Sequence, residues 1–220
     1  MLNLTLIQTI AVWIVPVLLA ITLHEAAHAF IANRCGDSTA KLLGRLSMNP
    51  FRHVDLIGTL LVPIVVAVLS QFQFVFGWAK PVPINWQNLR NPRRDMALVG
   101  AAGPISNFIM ALIWASCMKG GLLLDPNSSQ LAKFMFLTGR AGVFINLILA
   151  FLNLIPVPPL DGSRVLANLL PPKQARYFMM LEPLGFFIVL ALLFSGILGW
   201  LLYVPMSWAV DLIYSLFNIE

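Results

Sequence analysis

Residues 4–33 read LTLIQTIAVWIVPVLLAITLHEAAHAFIAN. The first twenty positions carry no charge, and about 20 apolar residues are what a helix needs to cross a ~30 Å hydrocarbon core. The stretch then runs into His24-Glu25-Ala26-Ala27-His28, which places two imidazoles four residues apart on one helix face. An ionisable group inside a membrane helix costs roughly 2.5–3.5 kcal/mol on insertion scales, so three within five residues need a partner. Two histidines one turn apart reach a single metal ion, and Glu25 beside them is placed to take a proton from a water held there. The plainer reading is a helix end already wet at the headgroup level. There is no positively charged start and no small-residue cleavage site, and cleavage would remove HEAAH. The stretch therefore reads as a retained transmembrane helix, not a signal peptide.

The whole chain agrees with that start. Of 220 residues, 59% are apolar and only 10% charged, against roughly 25% charged in soluble domains; mean hydropathy is +0.85. A soluble enzyme, a disordered chain and a nucleic-acid binder are excluded. The net charge of +5 comes from 14 Lys and Arg against 9 Asp and Glu, the excess that the loops of a membrane protein carry. Cys35 and Cys117 form no metal or redox motif and read as unpaired thiols.

Three further spans are expected at 96–118, 131–155 and 184–203, with 206–219 as a sixth or interfacial helix. The fold class is thus an all-α polytopic membrane protein of five to six transmembrane helices. The stretch 56–78 is long enough to span, but Gly58, Pro63, Ser70, Gln71 and Gln73 interrupt it, and a re-entrant hairpin is the alternative. Leu42-Leu43-Gly44-Arg45-Leu46 and Val82-Pro83-Ile84 read as short strands of a β-hairpin region between the first and second crossing helices. No stretch is long enough for a separate soluble domain. The chain reads as one domain, 1–220, with a core at 4–165 and C-terminal helices at 181–220.

A catalytic zinc site takes three protein ligands and keeps one position open. The residues offer two candidates for the third. One is His53. The other is Asp161, in Asn153-Leu-Ile-Pro-Val-Pro-Pro-Leu-Asp161-Gly162, where prolines end an apolar helix near the polar end of the bundle. Asp-Gly is also an ordinary turn signal. Asn107 follows Gly103-Pro104 by one turn and can hydrogen-bond across helices. Trp78, Trp86, Trp200 and Trp208 read as interface anchors.

HEAAH, Asn153-Leu-Ile-Pro with Leu160-Asp161-Gly162, Gly103-Pro104 through Asn107, and Asn49-Pro50 through His53, Asp55 and Gly58-Thr59 span residues 24–164. In these the chain resembles the site-2 proteases, the intramembrane zinc metalloproteases of peptidase family M50, in a compact form without PDZ-like or CBS-like domains. The resemblance implies one Zn2+ per chain held by His24, His28 and Asp161, with Glu25 as general base and Asn153 holding the substrate backbone. Asn107 and His53 are weaker substrate-side candidates. It implies hydrolysis of a peptide bond in or near a transmembrane segment of a membrane-protein substrate within the lipid bilayer, as in regulated intramembrane proteolysis. The competing class is a non-proteolytic zinc-binding adaptor or carrier, against which Glu25 argues, since ligands alone would not need it.

The metal also constrains topology. His24 and His28 lie near the C-terminal end of the first span, and Asp161 follows the end of the 131–155 span. For them to meet, these two spans must run parallel. A single crossing at 56–78 would defeat this, and a re-entrant path allows it. With the re-entrant path, eleven Lys and Arg fall on the side of the site and three on the other. The positive-inside rule then places the site towards the cytoplasm and Met1 outside, in the cell membrane.

Overall fold

The computed structural model describes residues 4–53, 55, 58, 61, 62, 65 and 80–219. Helix α1 (Leu6–Arg34) opens on Thr5, whose hydroxyl accepts from the Gln8 amide while the Gln8 side chain accepts from the Thr5 amide, a capping box. A short α2 (Thr39–Leu42) follows, then single 3-10 turns at Pro50–Arg52 and Trp86–Asn88. Helix α3 (Pro92–Leu123) begins with proline, and Asp95 caps it by accepting from the Asn91 amide at 2.8 Å. Ser129 caps α4 (Gln130–Leu154). Then come α5 (Asp161–Leu169), α6 (Pro172–Met179), α7 (Glu182–Phe194) and α8 (Ile197–Leu216).

The helices pack through small residues. A Cβ added to Gly139 would fall 2.5 Å from the Met118 backbone nitrogen, and one on Gly142 would fall 2.1 Å from the Trp114 ring. These two glycines let α3 and α4 approach backbone to backbone, as membrane helices do. Numbers rise on α4 as they fall on α3, so the pair is antiparallel. Ala20, His24 and His28 of α1 likewise meet Asn107, Gly103 and Val99 of α3. Therefore α1 and α4 run parallel, both opposed to α3. The buried core joins Ala111, Ala115 and Met118 to Val143 and Leu147, with Ala209 and Ile213 of α8 against them. The outer face is apolar too: Ile105, Ile109 and Ile113, at helical spacing on α3, are each 54% exposed. A chain with apolar residues outside and small or polar ones inside is built for lipid.

Two expectations are corrected. The expected five to six spans become four to five: among the described residues four helices, α1, α3, α4 and α8, are long and apolar enough to cross a membrane, or five if α6 and α7, bent by 64°, act as one. The expected span 184–203 breaks at Ser195-Gly196, where Gly196 adopts φ +77° and starts α8. The apolar run hid that break, and the tail 206–219, expected as a separate short helix, belongs mostly to α8.

The second correction concerns the β-hairpin region: among the described residues there is no β-strand. Residues 39–42 form α2, and Gly44 turns the chain at φ +67°. In 81–85 four of the five positions offer a strand no free backbone donor. Pro81 and Pro83 have none, the Val82 amide goes to Glu25, and the Asn85 amide goes to Asp37. The re-entrant path expected at 56–78 lies mostly outside the described residues. Its flanks meet, the Lys80 amide donating to the His53 carbonyl at 2.9 Å.

Candidate metal centre and active site

Helix α1 presents His24 and His28 one turn apart on its buried face, 7% and 4% exposed. Each ring is oriented from behind. His24 Nδ1 donates to Asn107 Oδ1 at 2.6 Å, and His28 Nδ1 donates to the Val99 carbonyl at 2.7 Å. The tautomers follow from the acceptors. A carbonyl oxygen only accepts, so each Nδ1 carries the proton and each Nε2 keeps its lone pair. The orientation of Asn107 is itself fixed: its amide nitrogen donates to Asn146 Oδ1 at 2.9 Å and to the Ala20 carbonyl at 3.3 Å. Asn146 in turn donates to the Gly142 carbonyl at 2.9 Å. A chain of fully buried amides across three helices thus points His24 Nε2 outwards.

Asp161 closes the set. Leu160 ends the proline-rich turn after α4, and Asp161 opens α5. Its Oδ2 lies 3.1 Å from His24 Nε2 and 3.2 Å from His28 Nε2, and the two Nε2 atoms are 3.1 Å apart. Room for the rings comes from Gly103: a Cβ there would sit 2.5 Å from both His28 Nε2 and His24 Cε1.

The residues fit a zinc ion. Three donor atoms from His24, His28 and Asp161 lie within 4.8 Å of one another, and all three residues are buried. Asp161 Oδ2 has no hydrogen-bond partner, which in a buried carboxylate calls for a cation. Two imidazoles and one carboxylate are a catalytic donor set, with a fourth position left open. His24, His28 and Asp161 together can coordinate one Zn2+.

A cavity of about 130 Å³ opens on this cluster, lined also by Glu25, Val82, Asn153 and Arg164. Glu25 Oε2 accepts from the Val82 amide at 3.0 Å. Asn153 donates to the Leu149 carbonyl at 2.9 Å. Asn107 lies behind the ligands, fully buried with both amide atoms engaged. His53 lies elsewhere: it is buried, its Nε2 donates to the Ser47 carbonyl at 2.8 Å, and it does not line the cavity.

Sequence reasoning missed Asn146, Val82 and Arg164, and gave Gly103 no role of its own. A polar Asn146 within an apolar span was a readable signal; the Val82 amide carried none.

Apolar helices around a His/His/Asp centre on an HEAAH turn define an intramembrane zinc metalloprotease. Residues 126–192 match peptidase family M50. The chain is 35% identical over 210 residues to YwhC of Bacillus subtilis, covering 93% of this chain and 90% of the relative. It is 30% identical over 213 residues to Rip2 of Mycolicibacterium smegmatis, covering 96% and 73%. With Rip2 of Mycobacterium tuberculosis (strain H37Rv) it shares 30% over 215 residues, covering 97% and 74%. All three are designated, by inference, as zinc metalloproteases. No solved structure matches the chain. The chain belongs to peptidase family M50, and it is a multi-pass membrane zinc metalloendopeptidase.

Proposed function

We propose that this chain hydrolyses a peptide bond within or beside a transmembrane segment of another membrane protein. His24, His28 and Asp161 hold the zinc and Glu25 is the general base. The observation that carries this is the placing of the Glu25 carboxylate in one cavity with all three ligands. When bound, zinc supplies Lewis acidity to a water and to the scissile carbonyl. Glu25 takes the water's proton and returns it to the leaving amine, while the Val82 amide holds its carboxylate in line. Asn107, with Asn146 behind it, positions His24. Asn153, which lines the cavity, binds the substrate backbone; His53 stands away from this chemistry.

A cavity of about 130 Å³ has room for a few waters at ~30 Å³ each but not for a helix ~10 Å across. The substrate helix must therefore unwind locally before its carbonyl is reached. Residues 1–220 act as one domain. The site faces the cytoplasm, a reading supported by the excess of lysine and arginine at its end of α1.

Purified full-length protein with zinc, given a model transmembrane peptide, tests the reading. Cleavage stops on chelation and returns with zinc. Glu25→Gln keeps about one zinc per chain and loses roughly 10²-fold or more in rate. A Glu25→Gln protein that still cleaves removes Glu25 from the mechanism. A wild type that binds zinc and never cleaves makes the chain an adaptor.

A further inference from the structure

Beside the catalytic cavity lies a second, much larger space of about 1200 Å³. Val82, Ile84 and Arg164 line both, so a chain held at the metal passes from one into the other. The larger groove runs between the start of α3, the outer face of α5 and α6. Its apolar lining is rich in methionine, with Met96, Met179 and Met180. Unbranched thioether side chains adapt to varied neighbours. Its charges are one-sided: Arg93, Arg164 and Arg176 against Glu182 alone. Among the described residues no ion pair reaches any of the three arginines. Arg93 donates to the Leu170 carbonyl. Arg164 sits one turn after Asp161 on α5, half-buried, where partial desolvation strengthens its pull on an anion.

We propose that this groove binds an acidic stretch of the substrate, the part of its chain that leaves the catalytic cavity past Arg164. The inference rests on the protease reading above. Continuity with the cavity favours a peptide as the occupant, because the substrate has to leave the metal by some route and this opening adjoins it. The arginines would take Asp or Glu side chains near the cleaved bond, and the methionines would accept whatever apolar residues lie between. Arg164 then becomes a specificity-determining residue.

The test uses the full chain with zinc in discs of zwitterionic lipid. Three fluorescent peptides share one transmembrane segment and differ in a four-residue flank of Asp/Glu, Asn/Gln or Lys. By anisotropy the acidic flank binds about tenfold more tightly than the neutral one. In the Arg164→Gln/Arg176→Gln variant that ratio falls towards one while zinc stays at one per chain. In Arg176→Glu the preference moves towards the Lys flank, a gain that misfolding cannot imitate. Equal binding of all flanks by wild type, or a ratio untouched in the double variant, overturns the proposal. So does an arginine-dependent enrichment of phosphatidylglycerol, read in parallel discs that contain it, with no peptide preference, which makes the groove a lipid site. Cleavage in the same samples separates the two readings. Peptides bound with acid preference but never cut sink the hydrolase and leave the groove; peptides cut without preference do the reverse.

Discussion

The histidines of HEAAH are aimed by residues that never touch the metal. His24 is held by Asn107, which is held by Asn146, and both amides are fully buried. Removing such an outer partner typically weakens metal affinity about 10- to 100-fold. Asn107→Ala should therefore shift zinc affinity by that amount in a chelator competition, with helical circular dichroism unchanged; Asn146→Ala should shift it less. Unaltered affinity in Asn107→Ala would mean the ring needs no support. Gly103 makes a sharper demand. A methyl group there would lie 2.5 Å from His28 Nε2, and α3 is pinned by its own packing against α4. Gly103→Ala should leave the helices intact and bring zinc content well below one per chain, as read by metal analysis. At this scale the sequence was generous where chemistry is ionisable. His24, Glu25 and His28 stand out in residues 4–33, which carry no other charge, and Asp161 stands out after a proline-rich apolar run. It was reticent about Gly103 and the Val82 amide, because a missing Cβ and a backbone N–H leave no mark on residue type.

Among elements, the segment 80–91 has the most consequence, since it carries Val82 to Glu25 with little regular structure of its own. Asp37, fully buried after the end of α1, anchors it: one carboxylate oxygen accepts from the Thr39 amide and hydroxyl and from Asn88, the other from the Asn85 amide. Burial pushes this carboxyl up, but the donors from Thr39, Asn85 and Asn88 bring it below its ordinary value. Its contribution is thus complete above about pH 4, the unfolded value. It fades as pH falls through the lower folded value, because the unfolded chain takes the proton first. Asp37→Asn puts an amide against donors and should cost about 1–3 kcal/mol. In a chain of this length that lowers Tm by about 3–10 °C at pH 7, with the gap from wild type narrowing by pH 3. Equal melting of the two proteins at pH 7 would show that the anchor carries no weight. The long apolar helices α1, α3 and α4 were legible from composition and length. The strands expected at 42–46 and 82–84 were not there, because alternation reports a face and not where a backbone donor finds its acceptor. The break at Gly196 was masked by apolar residues on both sides, which hydropathy averages over.

For the molecule as a whole, the antiparallel packing of α3 against α1 and α4 fixes which ends share a side. The hydrogen bond from the Arg90 amide to the Cys35 carbonyl ties the start of α3 to the end of α1. All of Arg34 to Arg94 among the described residues, and Arg164, Lys173 and Arg176 after α4, therefore flank the site end. Lys119, Lys133 and Arg140 belong to the other half of α3 and α4. The asymmetry supports a cytoplasmic site, and single cysteines can check it. With Cys35 and Cys117 replaced by serine, exposed Gln87 near the site end and exposed Asn127 in the α3–α4 turn mark the two ends. A helix of 32 residues is roughly 48 Å long, more than the ~30 Å core, so the markers stand in water on opposite sides. In intact cells a membrane-impermeant maleimide should label Asn127→Cys at once and Gln87→Cys only after permeabilisation. Both residues labelling alike from outside would break the paired topology. Labelling of Gln87→Cys alone would keep the packing and invert the protein, turning the zinc centre and its arginine-lined groove away from the cytoplasm.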